Sequence, residues 1–208
     1  FMLTLFLIVM VDLIGFGLYI PLLPFFAEHY DATPFMVGLV MAVYSLGQFI
    51  AAPFWGQISD RYGRRPVLMV GMAGAAASYI WLGFADTLWM LFAARAISGI
   101  MGGNISAAFA YMADITTREN RAKGMGMVGA AFGLGFIAGP AIGGILAGSD
   151  PSNADFQTPA FAAAGLSTIA FILTATVLKE SLSIEDRQRA AQAVRVSRFR
   201  QIGAALHD

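Results

Sequence analysis

Cysteine is absent from the 208 residues. That excludes disulfides, thiolate metal sites and a cysteine nucleophile, and leaves the redox compartment undetermined. Histidine is nearly absent: His29 and His207 lie far apart beside polar residues, and neither has a partner at metal-ligand spacing. Both are expected in structural or surface roles, with no metal. Charge is scarce too, at 12% of residues against 58% hydrophobic, with a mean hydropathy of +0.68. A water-soluble domain carries about 25% charged residues because its surface must be hydrated. This composition therefore suits a surface solvated by lipid. No Gly-x-x-x-x-Gly-Lys-Ser/Thr pattern occurs, so direct nucleotide drive within this chain is not expected. Neither a cofactor, a nucleic-acid partner nor enzymatic activity is implied.

What is present is a set of six long apolar runs. A bilayer core about 30 Å thick needs about 20 apolar residues in a helix, and runs of that length lie at Met2–Ala27, Phe35–Ser59, Pro66–Ala85, Leu88–Met112, Gly124–Ala147 and Pro159–Leu178. Short polar connections separate them, among them Glu28–Pro34, where Pro34 opens the next helix, the minimal turn Asp86–Thr87, and Gly148–Thr158. Continuous runs argue against a β-barrel, whose strands are shorter and alternate. The first run has no basic leader and five more follow it, unlike a secretory signal. The expected fold class is an all-α membrane protein, a six-transmembrane-helix bundle over residues 1–178. A charged, alanine-rich segment follows at 179–208, with Val194, Phe199, Ile202 and Leu206 as partial apolar faces; it reads as a cytoplasmic linker or surface helix. Phe1 in place of an initiator methionine suggests a trimmed chain.

Net charge is zero, but its placement is not random. Of the 13 lysines and arginines, Arg61, Arg64 and Arg65 follow the second run, Arg118, Arg121 and Lys123 follow the fourth, and Lys179, Arg187, Arg189, Arg195, Arg198 and Arg200 follow the sixth. The other three connections contain none. Cationic flanks are retained in the cytoplasm, so both termini are predicted cytoplasmic.

Two ionisable residues interrupt the apolar runs, Asp12 and Arg95. A charge at the bilayer centre costs from about 3 to over 10 kcal/mol, so each is expected to face protein or a wet cavity. At about 100° per residue, Asp12 shares a helical face with Phe16 and Tyr19, and Arg95 shares one with Gly99, Gly102 and Ser106. Tyr44, Gln48 and Trp55 form a similar stripe on the second run. Phe16, Tyr19, Tyr44 and Gln48 are candidate cavity contacts; packing or interface anchoring is the alternative for the aromatic residues. From the outer ends of their runs, Asp12 lies about 22 Å deep and Arg95 about 12 Å deep. This predicts a water-bridged or conformation-dependent link between them rather than a direct pair. The competing reading is an internal ion pair or packing contact without a transport role.

Three motifs then stand in order. Gly56-Gln57-Ile58-Ser59-Asp60-Arg61-Tyr62-Gly63-Arg64-Arg65-Pro66 resembles the signature loop of the major facilitator superfamily, with serine where alanine is usual. Arg95, Gly99 and Gly102-Gly103 resemble its second motif, with Ser98 for glutamine. Gly135-Phe136-Ile137-Ala138-Gly139-Pro140-Ala141-Ile142-Gly143-Gly144 resembles the pattern associated with its antiporters. Within that family, Asp12-Leu13-Ile14-Gly15-Phe16-Gly17, Pro21-Leu22-Leu23-Pro24, Arg64-Arg65-Pro66-Val67-Leu68 and Ala113-Asp114-Ile115-Thr116 are similar to the drug–proton antiporters related to tetracycline exporters. One departure is Ser78, where those exporters carry aspartate, so tetracycline itself does not carry over as substrate.

The resemblance implies one half of a transporter of 3+3 inverted repeats, joined by residues 179–208 to a second six-helix half. Its partners would be protons, a small-molecule substrate and the lipid bilayer of a bacterial inner membrane. The implied function is proton-coupled export of amphipathic small molecules or drugs, with antibiotic resistance as the consequence. Asp12 would be the protonation or coupling residue, and Arg95 its electrostatic modulator. Gly56, Asp60, Arg64 and Asp114 would form a gating latch: Gly56 admits a neighbouring helix, Asp60 faces a helix amino end in the second half, and Arg64 pairs with Asp114. Arg61 reads as a topogenic anchor. Gly135, Gly139, Pro140, Gly143 and Gly144 would give a closely packed helix that can bend. Thr116-Thr117-Arg118-Glu119 fits a capping box for the fifth run. Two alternatives remain: an uptake carrier of the same fold for a sugar or organic anion, and a non-transporting membrane scaffold.

Overall fold

The computed structural model describes residues 1–148, 150, 154–183 and 185. Among them six helical segments are long and apolar enough to cross a membrane: Met2–His29, Pro34–Tyr62, Arg64–Gly83, Leu88–Asp114, Arg121–Ala147 and Gln157–Thr176, called here spans one to six. No strand occurs among the described residues. Each apolar run becomes one span, and several spans continue past their apolar part until a helix breaker intervenes. Span two thus includes Arg61 and Tyr62 and ends at Gly63, whose φ of 112° is open to glycine and strained for other residues. Thr33 and Thr87 cap spans two and four by accepting from the N–H of Met36 and Met90. At span six the carboxylate of Asp155 accepts from the hydroxyl and N–H of Thr158 and the N–H of Gln157, which hold it below the usual carboxylate range.

Two spans are interrupted where the sequence suggested continuous helix. Span one passes through a 3-10 turn at Ile20–Leu22 before Leu23–His29, because Pro21 and Pro24 lack the N–H that an α-helical ladder needs. Span four breaks into Leu88–Gly102 and Ile105–Asp114 at Gly103-Asn104. The capping box ahead of span five does not form. Thr116 instead turns its hydroxyl back onto the carbonyl of Met112, at 2.7 Å, which is an alternative that short polar side chains take up after a helix. Span five begins one turn later, with Asn120 at the cap position.

The principal pairings are span one with five, two with four, three with six, one with six, and three with four. Exchanging spans one to three with spans four to six maps this set onto itself. Since successive spans alternate in direction, span four runs opposite to span one, so the two triplets form an inverted repeat. The core splits into two apolar clusters. Leu5, Leu13, Met72, Ala107, Val128 and Ala170 belong to the one at the basic end, which also carries the loops after spans two, four and six. Tyr19, Leu23, Tyr79, Leu91, Ala94 and Ala163 belong to the one at the opposite end. The polar residues Ser98 and Ser167 fall between them in sequence on their respective spans, while Asp12 stands within the basic-end cluster, between Val9 and Leu13. Of the segment read as a linker, only 179–183 and 185 are described; Arg187 to His207, with its partial apolar faces, lies outside the described residues.

Candidate transport cavity and basic-end cluster

Asp12 stands beside Leu13 near the inner edge of the basic-end cluster and accepts a hydrogen bond from the Ser167 hydroxyl of span six at 2.9 Å. Among the described residues no ion pair joins it to Arg95. Asp12 lines a cavity of about 150 Å³ together with Phe16, Tyr44, Gln48, Ser98, Asn104 and Tyr79. Gln48 is fixed by its amide, which donates to the Gly102 carbonyl at 3.1 Å. Trp55, about two turns further along span two, donates to the Ile100 carbonyl at 2.6 Å, so this part of the stripe serves packing against span four.

Arg95 stands on the other side of an aromatic partition. Its guanidinium carbon lies 4.4 Å from the centre of the Tyr44 ring and 5.9 Å from that of Phe16, and those two rings lie 4.8 Å apart. It lines a second recess of about 450 Å³ that Asp12 does not reach. Of the candidate cavity residues, Phe16, Tyr44 and Gln48 border both spaces. Tyr19 borders neither. It is 1% exposed, packed edge-on against Phe26 in the core cluster, and its hydroxyl has no partner among the described residues. The 100° periodicity put it near Asp12's face, but it lies at the last turn before the 3-10 segment and turns into the core.

At the basic end, Arg64 is the hub. Its Nη1 meets Asp60 and donates to the Ser59 hydroxyl at 2.8 Å, while its Nε donates to Asp114 at 3.1 Å. The Asp60 side chain stays 52% exposed. The residues after span six close over this cluster: Ser181 donates to Asp114 at 3.0 Å, and the Tyr111 hydroxyl donates to the Lys179 carbonyl at 2.7 Å. Glu180 accepts from the backbone N–H of Arg64 and Arg65, placing a carboxylate at the positive end of span three. Arg65 returns the contact by donating to the Thr174 and Ala175 carbonyls at the negative end of span six. A Cβ on Gly56 would meet nothing within 4 Å.

Residues 5–207 match the family model described as Major Facilitator Superfamily. The chain belongs to the major facilitator superfamily. It is 38% identical over 182 residues to the class B tetracycline resistance protein of Escherichia coli, covering 86% of this chain and 44% of that protein. It is 34% identical to multidrug resistance protein 2 of Bacillus subtilis (strain 168), covering 92% of this chain and 47% of that protein. Among solved structures, the human organic anion transporter MFSD10 (TETRAN) superposes with a TM-score of 0.78 at 27% identity, covering 89% of this chain and 49% of that one. The chain thus spans about half the length of these relatives. A peptide transporter at 15% identity and a TM-score of 0.74 shows the shared fold.

In this member of the superfamily, the glycine-rich motif of span five divides into two faces. Gly135, Gly139 and Gly143 abut span one so closely that a Cβ would fall 2.7, 2.6 and 2.0 Å from atoms of Leu13, Gly17 and Leu18 respectively. On the opposite face, Gly126, Gly129, Gly133 and Gly144 meet nothing within 4 Å. Pro140 lies inside the helix without ending it. Three residues of the site were not singled out from the sequence. Asn104 had a local signal, a Gly-Gly-Asn turn former in mid-span, and its side chain borders the Asp12 cavity. Ser167 and Glu180 had none, since their partners lie 155 and 116 residues away.

Proposed function

We propose that this six-helix unit works as one half of a proton-coupled antiporter that exports amphipathic small molecules across a bacterial inner membrane. The observation that carries the reading is Asp12: one carboxylate inside an apolar span, half-buried, bordering a cavity and held by the hydroxyl of another span. A carboxylate there can take up a proton when the cavity opens to one side and release it to the other, which exchange requires. Arg95, across the Phe16–Tyr44 partition, modulates its field. The curated relatives named for tetracycline and multidrug resistance support export of drug-like compounds. A second six-helix half completes the substrate pathway, and the open glycine face of span five and the space beside Gly56 suit close approach of its helices.

The test uses the full-length protein in proteoliposomes with an imposed pH gradient and a fluorescent amphipathic dye. Dye should move against the proton flux, and an uncoupler should stop it. Co-transport of dye with protons would favour the uptake carrier, and no movement at all would leave the scaffold.

The basic end is assigned to the cytoplasm, from the placement of lysine and arginine. Single cysteines in Glu28–Pro34, Asp86–Thr87 or Gly148–Thr158 should then react with an impermeant thiol reagent added outside intact cells. Labelling only after permeabilisation would reverse the orientation.

Asp60, Arg64 and Asp114 act as a latch that holds the cytoplasmic side closed, with the exposed edge of Asp60 turned toward the second half. Asp60→Asn in the full-length protein should cut transport at least tenfold while membrane insertion is unchanged. Transport at the parental rate by that variant would reduce the loop to a topology signal.

A further inference from the structure

Arg95 is 3% exposed, yet its guanidinium makes no hydrogen bond and no ion pair with any described residue. Its Nε is one of two buried side-chain polar atoms without a partner among them. A guanidinium has five N–H donors in its plane, and burying such a charge unpaired is costly. The guanidinium lies over the Tyr44 ring with Phe16 on the same side, contacts that favour the cation but supply no hydrogen-bond acceptor to its N–H groups. Those donors are left for a planar acceptor, and the geometry that fills them best is a carboxylate taken edge to edge.

The recess beside Arg95 matches that demand. Ile20, Met41 and Ala42 give it apolar wall, Ser45 and Gln48 add polar groups, and Arg95 is the one charged residue lining it. Asp12, which would repel an anion and attract a cation, borders the separate cavity beyond Phe16 and Tyr44.

We propose that this recess is the subsite for a flat organic monoanion, whose carboxylate docks on the Arg95 guanidinium while its ring lies against Ile20 and Met41. This deepens the transport reading above and rests on it, because it names the substrate class that the unit takes from its cavity. Selectivity then comes from charge at one end of a largely apolar molecule: a neutral isostere loses the bidentate contact, and a cationic one meets a like charge.

The test is equilibrium binding to the purified full-length protein, without a proton gradient, of radiolabelled 1-naphthoate, 1-naphthamide and 1-naphthylmethylammonium. The expected result is naphthoate binding at least tenfold tighter than the amide, with the ammonium weakest. Arg95→Gln should bring naphthoate within twofold of the amide while amide binding is retained, and retention also reports that the variant is folded. Arg95→Lys should keep a reduced preference for naphthoate, so it decides the matter if the glutamine variant fails to fold. Equal binding of naphthoate and amide by the parent protein, tighter binding of the ammonium, or a preference that survives Arg95→Gln would overturn the proposal. A carboxylate of the second half that already pairs with Arg95 would appear as the first of these. Failure of gradient-driven export with this binding pattern intact would count against the export reading alone.

Discussion

Asp12→Asn in the full-length protein is expected to lower export driven by a proton gradient at least 100-fold while leaving substrate binding in place. Asparagine keeps the size and polarity of the side chain, and its amide oxygen can still accept from the Ser167 hydroxyl that now meets the carboxylate at 2.9 Å. The packing of spans one and six, and the cavity shared with Phe16, Tyr44 and Gln48, should therefore persist. What disappears is the ability to bind and release a proton. The insertion cost of an ionisable group at this depth, about 3 kcal/mol or more, has a compensating role only if that proton is used. The measurement pairs gradient-driven dye export in proteoliposomes with equilibrium dye binding. Export by the variant at the parental rate would remove Asp12 from the mechanism.

Gly139 should be the least replaceable residue of the bundle. A Cβ there would fall 2.6 Å from the Gly17 carbonyl carbon and 2.7 Å from the Leu18 nitrogen, backbone atoms that no side-chain rotation can move. Spans one and five would have to separate along their whole seam, where Gly135 and Gly143 also rely on contact. Overpacking usually costs about 1–3 kcal/mol, and more where neither side yields. Gly139→Ala is expected to lower the thermal midpoint of the purified protein clearly, and Gly139→Val to prevent recovery of folded protein. Gly144→Ala is the matched control: its Cβ would enter open space, and alanine favours a helix over glycine by about 1 kcal/mol. Equal midpoints for Gly139→Ala and Gly144→Ala would refute the close packing of this seam.

The architecture was readable because a bilayer imposes a length on every helix. Six runs of the required length gave six spans, with ends displaced by a few residues where polar flanks such as Asp60-Arg61-Tyr62 continue the helix. The interruptions were less visible. Pro21 marks the 3-10 turn of span one, and the turn former Gly102-Gly103-Asn104 marks the break of span four only weakly, because apolar residues continue on both sides of it. The capping box at Thr116 was misplaced because the motif is local, whereas Thr116 is buried at the end of span four, where the Met112 carbonyl is the acceptor at hand.

What the sequence by itself determined is the membrane class, the number of spans, the placement of basic residues at one end, and the two ionisable residues, Asp12 and Arg95, inside apolar runs. These follow from the cost of polar groups in hydrocarbon, which acts on each residue wherever its neighbours are. What only the tertiary structure decided is which side chains meet. Phe16 borders a cavity and Tyr19 does not, Asp12 meets Ser167 rather than Arg95, and Gly135, Gly139 and Gly143 of span five touch span one while Gly126, Gly129, Gly133 and Gly144 face open space. Likewise, Glu180 and Arg65 cap each other's helices across the basic end. Periodicity gives the angles between residues on one helix, but contact between spans also depends on each helix's rotation about its own axis and its height against its neighbours. Those two quantities are set by the packing of all six spans together.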